Sequence, residues 1–165
     1  MKKKKIISIL LALAIAALFV WRMWPLSLKD VIGMDDTMYD TLVVQATEFG
    51  VTDGSLTLDV YQLESLSEDA LHELINSAAF RPSFRNLLPW DITAVDSGSS
   101  NITQSANLTF IDSANHRVCH VSFHGSNRVS VDVPEKSGFL IYYPTDHTLL
   151  SQVVSHVKEH GVPLE

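Results

Sequence analysis

Histidines are the residues of this chain whose spacing comes closest to a chemical site. His116, His120 and His124 recur every four residues where apolar and polar residues alternate, so they share one face of a predicted strand. Neighbours on that face lie about 13 Å apart, whereas zinc ligands lie about 2 Å from the metal. No two of the three can therefore bind one zinc ion, and we interpret them as an exposed stripe.

His156 and His160 lie four residues apart near the end of a predicted helix, a spacing that can hold a metal ion if a third ligand comes from elsewhere. Ordinary histidines at a helix C-terminus are the alternative interpretation. The helix lacks the glutamate of a zinc protease motif, and the chain has neither a Gly-x-Ser-x-Gly motif nor a glycine-rich phosphate loop. The sequence therefore predicts no catalytic residue and no cofactor, with His156 and His160 as the metal candidates.

Residues 81–90 form the candidate interaction site. They bring together two arginines and two aromatic residues in an otherwise acidic region, and these residue types dominate the binding energy of protein interfaces. Alternatively, the aromatic residues fill one end of the core and the arginines lie outside. The interaction candidates are Arg81, Phe84, Arg85 and Trp90.

The N-terminus predicts a membrane anchor. Residues 6–21 contain one polar residue, Ser8, and extension to Trp24 gives about 19 residues, or about 28 Å of helix. Four lysines precede the run, so the positive-inside rule places the N-terminus in the cytoplasm and the remaining chain outside. A cleaved signal peptide is the alternative, with a small-x-small site at residues 14–16, but the residues that follow are too apolar for a mature N-terminus.

The charge of the remaining chain limits its partners. After Arg22 there are seven basic and 19 acidic residues, which gives a net charge of −12 with neutral histidines. Such a domain should avoid nucleic acid and anionic lipid headgroups. A basic partner, a bound cation or solubility alone is compatible with this charge. The single cysteine, Cys119, excludes an internal disulfide and is interpreted as a small buried residue of an alternating strand.

Periodicity predicts an α+β domain of two layers, with a mainly antiparallel sheet and two covering helices. The expected organisation is a basic tail over residues 1–5, a transmembrane signal anchor over 6–24, a juxtamembrane helix and linker over 25–40, and an extracytoplasmic domain over 41–165. Strands are predicted over 42–49, 55–62, 91–96, 102–111, 116–124, 128–133 and 139–143. Helices are predicted over 26–33, from Ser65 or Ser67 to Pro82, and from Thr145 or Asp146 to Gly161.

The layout resembles the small, uncharacterised, membrane-anchored ectodomains of Gram-positive bacteria. The resemblance rests on the basic start, the single span, the Leu-Ser-Leu-Lys-Asp-Val-Ile-Gly segment and the order of elements. It implies a single-pass protein of the cell membrane but brings no assigned activity. We expect a binding module, such as a sensor, inhibitor or accessory subunit, that interacts with a surface or membrane protein. A cell-surface metal-binding protein or hydrolase that uses its surface histidines is the alternative.

Overall fold

The structure is a computed structural model with four α-helices, nine strands and one 3-10 helix in its described part. It describes residues 2–33, 39–52, 55–65, 70–87, 103–114, 116–125, 128–132 and 139–164. The α-helices are α1 (Lys2–Arg22), α2 (Leu28–Ile32), α3 (Ala70–Asn76) and α4 (Leu149–His160), and the 3-10 helix spans Phe84–Leu87. The strands are β1 (Leu26–Ser27), β2 (Thr41–Thr52), β3 (Ser55–Ser65), β4 (Ala79–Pro82), β5 (Gln104–Asp112), β6 (Arg117–His124), β7 (Val129–Asp132), β8 (Phe139–Pro144) and β9 (Val162–Leu164).

The strands form one sheet in the order β1-β4-β8-β7-β6-β5-β2-β3-β9. Every pair of neighbours is antiparallel. The sheet therefore begins at a two-residue strand close to α1 and ends at a three-residue strand close to the C-terminus. The predicted α+β class with a mainly antiparallel sheet is confirmed.

One face of the sheet carries the core. Alternate residues of β2, β5 and β6 are fully buried there, among them Leu42, Leu108 and Val121. α4 packs on β2, β3 and β5, while α2 contacts β4 and β7, and α3 packs against both of these helices. α4 and α2 therefore contact the sheet directly, and α3, one of the two helices expected to cover it, packs mainly on these helices. The other face carries none of the buried core residues of these strands, and we call it the open face.

α2 lies inside the predicted helix 26–33 but begins two residues later, at Leu28, because Leu26 and Ser27 form β1. The Ser27 hydroxyl accepts from the Asp30 N–H, and the Asp30 carboxylate accepts from the Ser27 N–H, which makes a capping box. The hydrogen bonds from Ser27 are the main reason that the pKa of Asp30 is lowered. Gly33 ends the helix with a φ of +67°, a left-handed conformation that favours glycine. Since Leu28, Val31 and Ile32 are all buried, the hydrophobic core already begins with α2.

α4 begins at Leu149, later than the predicted start at Thr145 or Asp146, and buries an apolar stripe. Its residues Leu149, Leu150, Val153, Val154 and Val157 are all buried, as the helical spacing indicates. Gly161 ends the helix by donating its N–H to the carbonyl oxygen of Val157.

Two predictions about the middle of the chain are wrong. α3 ends at Asn76 and not at Pro82, because residues 79–82 form β4. The alternation of Leu58 and Val60 predicted their burial, yet Leu58 is 56% exposed and faces the open side. The neighbouring positions Tyr61 and Leu63 pack against the core instead.

Some predictions fall outside the description, and three strands were not predicted. The strand expected over 91–96 and residue Trp90 lie outside the described residues. β1, β4 and β9 have two to four residues each and were not anticipated. In the described part of the chain, none of the helices combines the length and the apolar character needed to cross a membrane.

Candidate functional site

The predicted histidine stripe is confirmed on β6 for two of its three members. His120 and His124 are exposed on the open face, whereas His116 lies in the preceding turn with a φ of +53°. His120 Nδ1 lies 3.2 Å from Thr109 Oγ1, and His124 Nε2 lies 2.8 Å from Ser130 Oγ. Burial, followed by the nearby Arg128 charge, lowers the pKa of His124. The His124 imidazole is therefore held more firmly in its neutral form than a free histidine.

His156 and His160 stack on the last two turns of α4. Their ring centroids are 4.4 Å apart with planes 21° from parallel, and His160 Nδ1 lies 3.0 Å from the His156 carbonyl oxygen. A ring nitrogen binds a metal ion in the plane of its ring. Because the two rings are stacked nearly parallel, their nitrogens point in parallel directions and do not converge on one ion. Among the described residues no group of three or more His, Cys, Asp or Glu side chains could hold a metal ion.

A Ser-x-x-Lys spacing, the motif of some serine acyl transferases, was missed in the sequence and lies on α4. Ser155 is exposed, and Lys158 Nζ donates to Glu48 Oε2 over 2.7 Å. This hydrogen bond raises the pKa of Lys158, so the ammonium keeps its proton. A lysine that serves as a general base needs a lowered pKa. The Lys158–Glu48 ion pair therefore joins α4 to β2, and Lys158 is unsuited to activate Ser155.

The first part of the interaction segment predicted over 81–90 forms the end of β4 and the 3-10 helix, where a loop was expected. Arg81 lies in β4 and is exposed, while Phe84 begins the 3-10 helix and is 55% exposed. Phe84 contacts Phe19 of α1, with ring centroids 6.0 Å apart. Arg85 lies in the 3-10 helix, and its side chain, like all of Trp90, lies outside the description. Of the four predicted interaction residues, the structure therefore places the side chains of two.

Asn86 fixes this segment against β8. Its side-chain amide donates to the Ile141 carbonyl oxygen over 2.7 Å, and its side-chain oxygen accepts from the Ile141 N–H over 2.9 Å. Ser83 N–H also donates to the Ile141 carbonyl oxygen. The asparagine side chain thus satisfies both backbone groups of a residue that lies beyond the end of the β4–β8 pairing.

Apolar side chains are exposed together at the β9 end of the open face. Phe49 pairs with Leu58 across β2 and β3, and Val60 pairs with Leu164 across β3 and β9. The exposed fractions are 38% for Phe49, 56% for Leu58, 66% for Val162 and 44% for Leu164. Exposed apolar side chains that are neighbours on one face of a sheet are typical of an interaction site. We call this surface the edge patch, and its members are Phe49, Leu58, Val60, Val162 and Leu164.

Acidic residues lie near the edge patch on both faces of β3. Glu64 is exposed further along β3, on the same face, and Asp59 is exposed on the opposite face of that strand. Beside Phe49 an open depression of about 370 Å³ is lined by Glu48, Phe49, Gly50, Asp59, Thr103 and Gln104. On its own face the patch therefore has an apolar centre and one exposed carboxylate, Glu64, beside it.

Tyr39 and His72 form a buried polar pair that the sequence did not reveal. The Tyr39 hydroxyl lies 2.9 Å from His72 Nδ1, and the two rings stack with centroids 5.4 Å apart. Tyr39 also meets Phe110 edge to face at 5.0 Å. Because the two residues are 33 positions apart, no local motif links them. The pair joins α3 to the end of the sheet inside the core.

Cys119 is fully buried on the core face of β6, as predicted. Burial is the main cause that raises the pKa of its thiol to about 12, with a smaller contribution from the Asp132 charge. Cysteine nucleophiles and metal ligands react as thiolates. At neutral pH this thiol stays protonated and acts as a small apolar side chain.

No protein-family model, curated protein or solved structure matches this chain. Of the surfaces described above, the edge patch groups five apolar side chains at a defined position in the sheet.

Proposed function

We propose that this protein is a membrane-anchored extracytoplasmic binding module that docks a protein partner on its edge patch. The patch is the observation that carries the proposal, because Leu58 and Val162 leave more than half of their surface exposed on an acidic, polar domain. Burial of such surface is the main driving force of protein association. The activity is recognition without catalysis.

The anchor is supported by the surface of α1. Large apolar side chains from Ile6 to Val20 are between 47% and 64% exposed, so they find little cover on the domain. Trp21 is 76% and Trp24 is 65% exposed at the end of the run, where interfacial tryptophans occur in membrane proteins. The four lysines at residues 2–5 orient the N-terminus to the cytoplasm. Although no described helix by itself meets the length and apolarity needed to cross a membrane, we infer that residues 6–24, which extend two residues past α1, cross the cell membrane once.

The charge of the domain favours a different protein over a second copy. The −12 charge of the chain after Arg22 would oppose self-association, and the exposed Glu64 beside the patch would face the same charge in a twin. A partner with an apolar centre and lysine or arginine at its rim complements both features. We therefore expect a basic surface on a neighbouring membrane or cell-surface protein.

Site-specific photocrosslinking of the full-length protein in its native membrane tests this proposal. A photoreactive amino acid at Val162 should give one discrete adduct, whereas the same group at Ser151, on the exposed face of α4, should give none. Introducing Leu58→Glu should remove the Val162 adduct, because a charge then lies in the apolar centre. Leu58 is exposed enough for this substitution to leave the fold intact.

A triple alanine variant of Arg81, Arg85 and Trp90 serves as the matched control, and its Val162 adduct should persist. An adduct lost in this variant but retained in Leu58→Glu would move the docking site to residues 81–90. The absence of any adduct at Val162 would contradict the proposal.

One contact favours a second candidate, a surface hydrolase. His124 Nε2 lies 2.8 Å from Ser130 Oγ, and its lowered pKa suits a neutral base. A fluorophosphonate probe tests it: the Ser130 oxygen would bond to phosphorus, its proton would pass to His124, and fluoride would leave. Labelling that Ser130→Ala abolishes would support this candidate, and the absence of labelling would exclude it.

A further inference from the structure

The domain is joined to α1 by a very short connection. α1 ends at Arg22 and β1 begins at Leu26, so residues 23–25 are the whole connection, and fully extended they span about 10 Å. Met23 N–H still donates to the Phe19 carbonyl oxygen, which continues the helical turn. β1 pairs directly with β4, so this end of the sheet is held close to the end of the helix.

The contact between Phe19 and Phe84 indicates how close this end of the domain lies to the membrane. Their ring centroids are 6.0 Å apart. Phe19 lies five residues before Trp24, which corresponds to about 7.5 Å along a helix axis. If Trp24 marks the outer interface, a side chain that touches Phe19 lies below the level of the headgroups.

The residues around this contact suit a membrane surface. Residues 79–87 contain two arginines and no acidic residue, in a domain that is otherwise strongly acidic. Arg81 is exposed, and Phe84 keeps 55% of its surface exposed despite its contact with Phe19. Arginine binds phosphate oxygens, and aromatic side chains favour the interfacial region of a bilayer.

We propose that β1, β4 and the 3-10 helix, together the membrane-proximal edge, rest on the outer leaflet. Phe84 inserts beside Phe19, and Arg81 binds lipid phosphates. This inference depends on the proposed anchor. The net charge of the domain predicted that it avoids anionic headgroups, and this edge is the local exception.

Tethering makes this small contact effective. Because α1 and the three-residue connection already hold the edge at the surface, binding costs little additional translational freedom. The two hydrogen bonds between Asn86 and the Ile141 backbone hold the 3-10 helix in place, so Phe84 is presented in a fixed position. The contact orients the domain so that β9 and the edge patch lie at the far end of the sheet, about 38 Å away by strand spacing.

Depth-dependent fluorescence quenching tests the orientation. The full-length protein is reconstituted into phosphatidylcholine–phosphatidylglycerol vesicles, with one introduced cysteine carrying an environment-sensitive dye. Phe84→Cys should lose fluorescence when lipids carry a nitroxide near the headgroup, whereas Leu58→Cys in the edge patch should not. Cys119 is fully buried and does not react at neutral pH.

A label at Leu11, in the middle of the apolar run, separates this inference from the anchor. Quenching at Leu11 by nitroxides near the chain ends, without quenching at Phe84, would overturn the membrane contact and leave the anchor standing. If Leu11 is not quenched, the anchor itself fails. Equal quenching at Phe84 and Leu58 would overturn the orientation.

Two variants test the roles of the side chains. Arg81→Gln should reduce quenching at Phe84 in anionic vesicles but not in vesicles of phosphatidylcholine alone. A flexible insertion of ten glycine and serine residues after Trp24 should abolish the difference between Phe84 and Leu58, because the edge is then no longer held at the surface. If the insertion leaves the pattern unchanged, the short connection does not orient the domain.

Discussion

Gly161 connects α4 to β9, and replacing it with alanine should detach β9 from the sheet. Its φ of −88° is open to any residue, so the requirement for glycine comes from space alone. A Cβ at this position would lie 2.7 Å from the Gln62 carbonyl oxygen and closer still to that of Val157. Ordinary contacts begin near 3.4 Å, so the backbone must move by about 0.7 Å relative to Gln62.

The expected cost of Gly161→Ala is about 2 kcal/mol in the free energy of unfolding. Both crowded atoms belong to backbone carbonyl groups, which cannot rotate away as a flexible side chain would. Overpacking of this kind costs about 1–3 kcal/mol. Release of β9 limits the loss, because a three-residue strand contributes only a few hydrogen bonds of about 1 kcal/mol each.

Urea unfolding and hydrogen exchange of the full-length protein in detergent measure this effect. Amides of β9 and the facing part of β3 should exchange faster, while those of β5 and β6 should keep their protection. Gly125→Asn is the matched control, since Gly125 has a φ of +73°, which asparagine tolerates, and an added Cβ meets nothing within 4 Å. Wild-type stability and exchange in Gly161→Ala would refute the packing argument.

Three further substitutions test other contacts. Glu48→Gln should lower stability slightly at neutral pH, because the Lys158 hydrogen bond lowers the pKa of Glu48. A lowered carboxylate pKa stabilises the fold above the ordinary value of 4.5, so the difference from wild type should vanish as the pH falls below it in urea titrations. Tyr39→Phe should cost about 1–2 kcal/mol in urea unfolding, because it removes a buried hydrogen bond to His72; an unchanged midpoint would contradict that bond. Asn86→Ala should cost about 1–3 kcal/mol and speed exchange of the Ile141 amide, and protection equal to wild type would show that the bond is unimportant.

Regular periodicity over several turns or strand residues was a reliable guide to this fold. The five apolar residues of α4 and the alternation of Cys119, Val121 and Phe123 in β6 are buried as predicted. In α4 every apolar position falls on one face, and in β6 only Val118 falls on the other, so one orientation buries nearly all of them. The signal is local and needs no knowledge of the partner elements.

β3 shows where such reasoning stops. Both of its faces carry apolar residues, with Leu58 and Val60 on one and Tyr61 and Leu63 on the other. Alternation alone cannot choose between them, and the choice is made by pairing with β2, where Leu63 faces Val44 of the core. The edge patch therefore follows from register, which is a long-range property.

Short strands, and contacts between residues far apart in the chain, also could not be predicted from the sequence. β1, β4 and β9 are too short to show a period, and Pro82, expected to stop a helix, instead lies within β4. The pairing of Tyr39 with His72 joins segments with no shared motif. Of the interaction candidates, Phe84 was identified from composition, but its contact with Phe19 required the fold.

The two ends of the sheet explain why recognition should depend on side chains. β1 has only two residues and lies beside the proposed anchor, so it offers little room for an added strand. At the other end, Pro163 of β9 pairs with Tyr61 of β3. Proline has no N–H, so it fits in a strand pair only where its nitrogen faces away from the partner strand. The outer edge of β9 therefore lacks a donor at its centre, which discourages strand addition. What remains available at this end is the apolar side chains of the edge patch, so a partner that contacts them should bind through its own side chains.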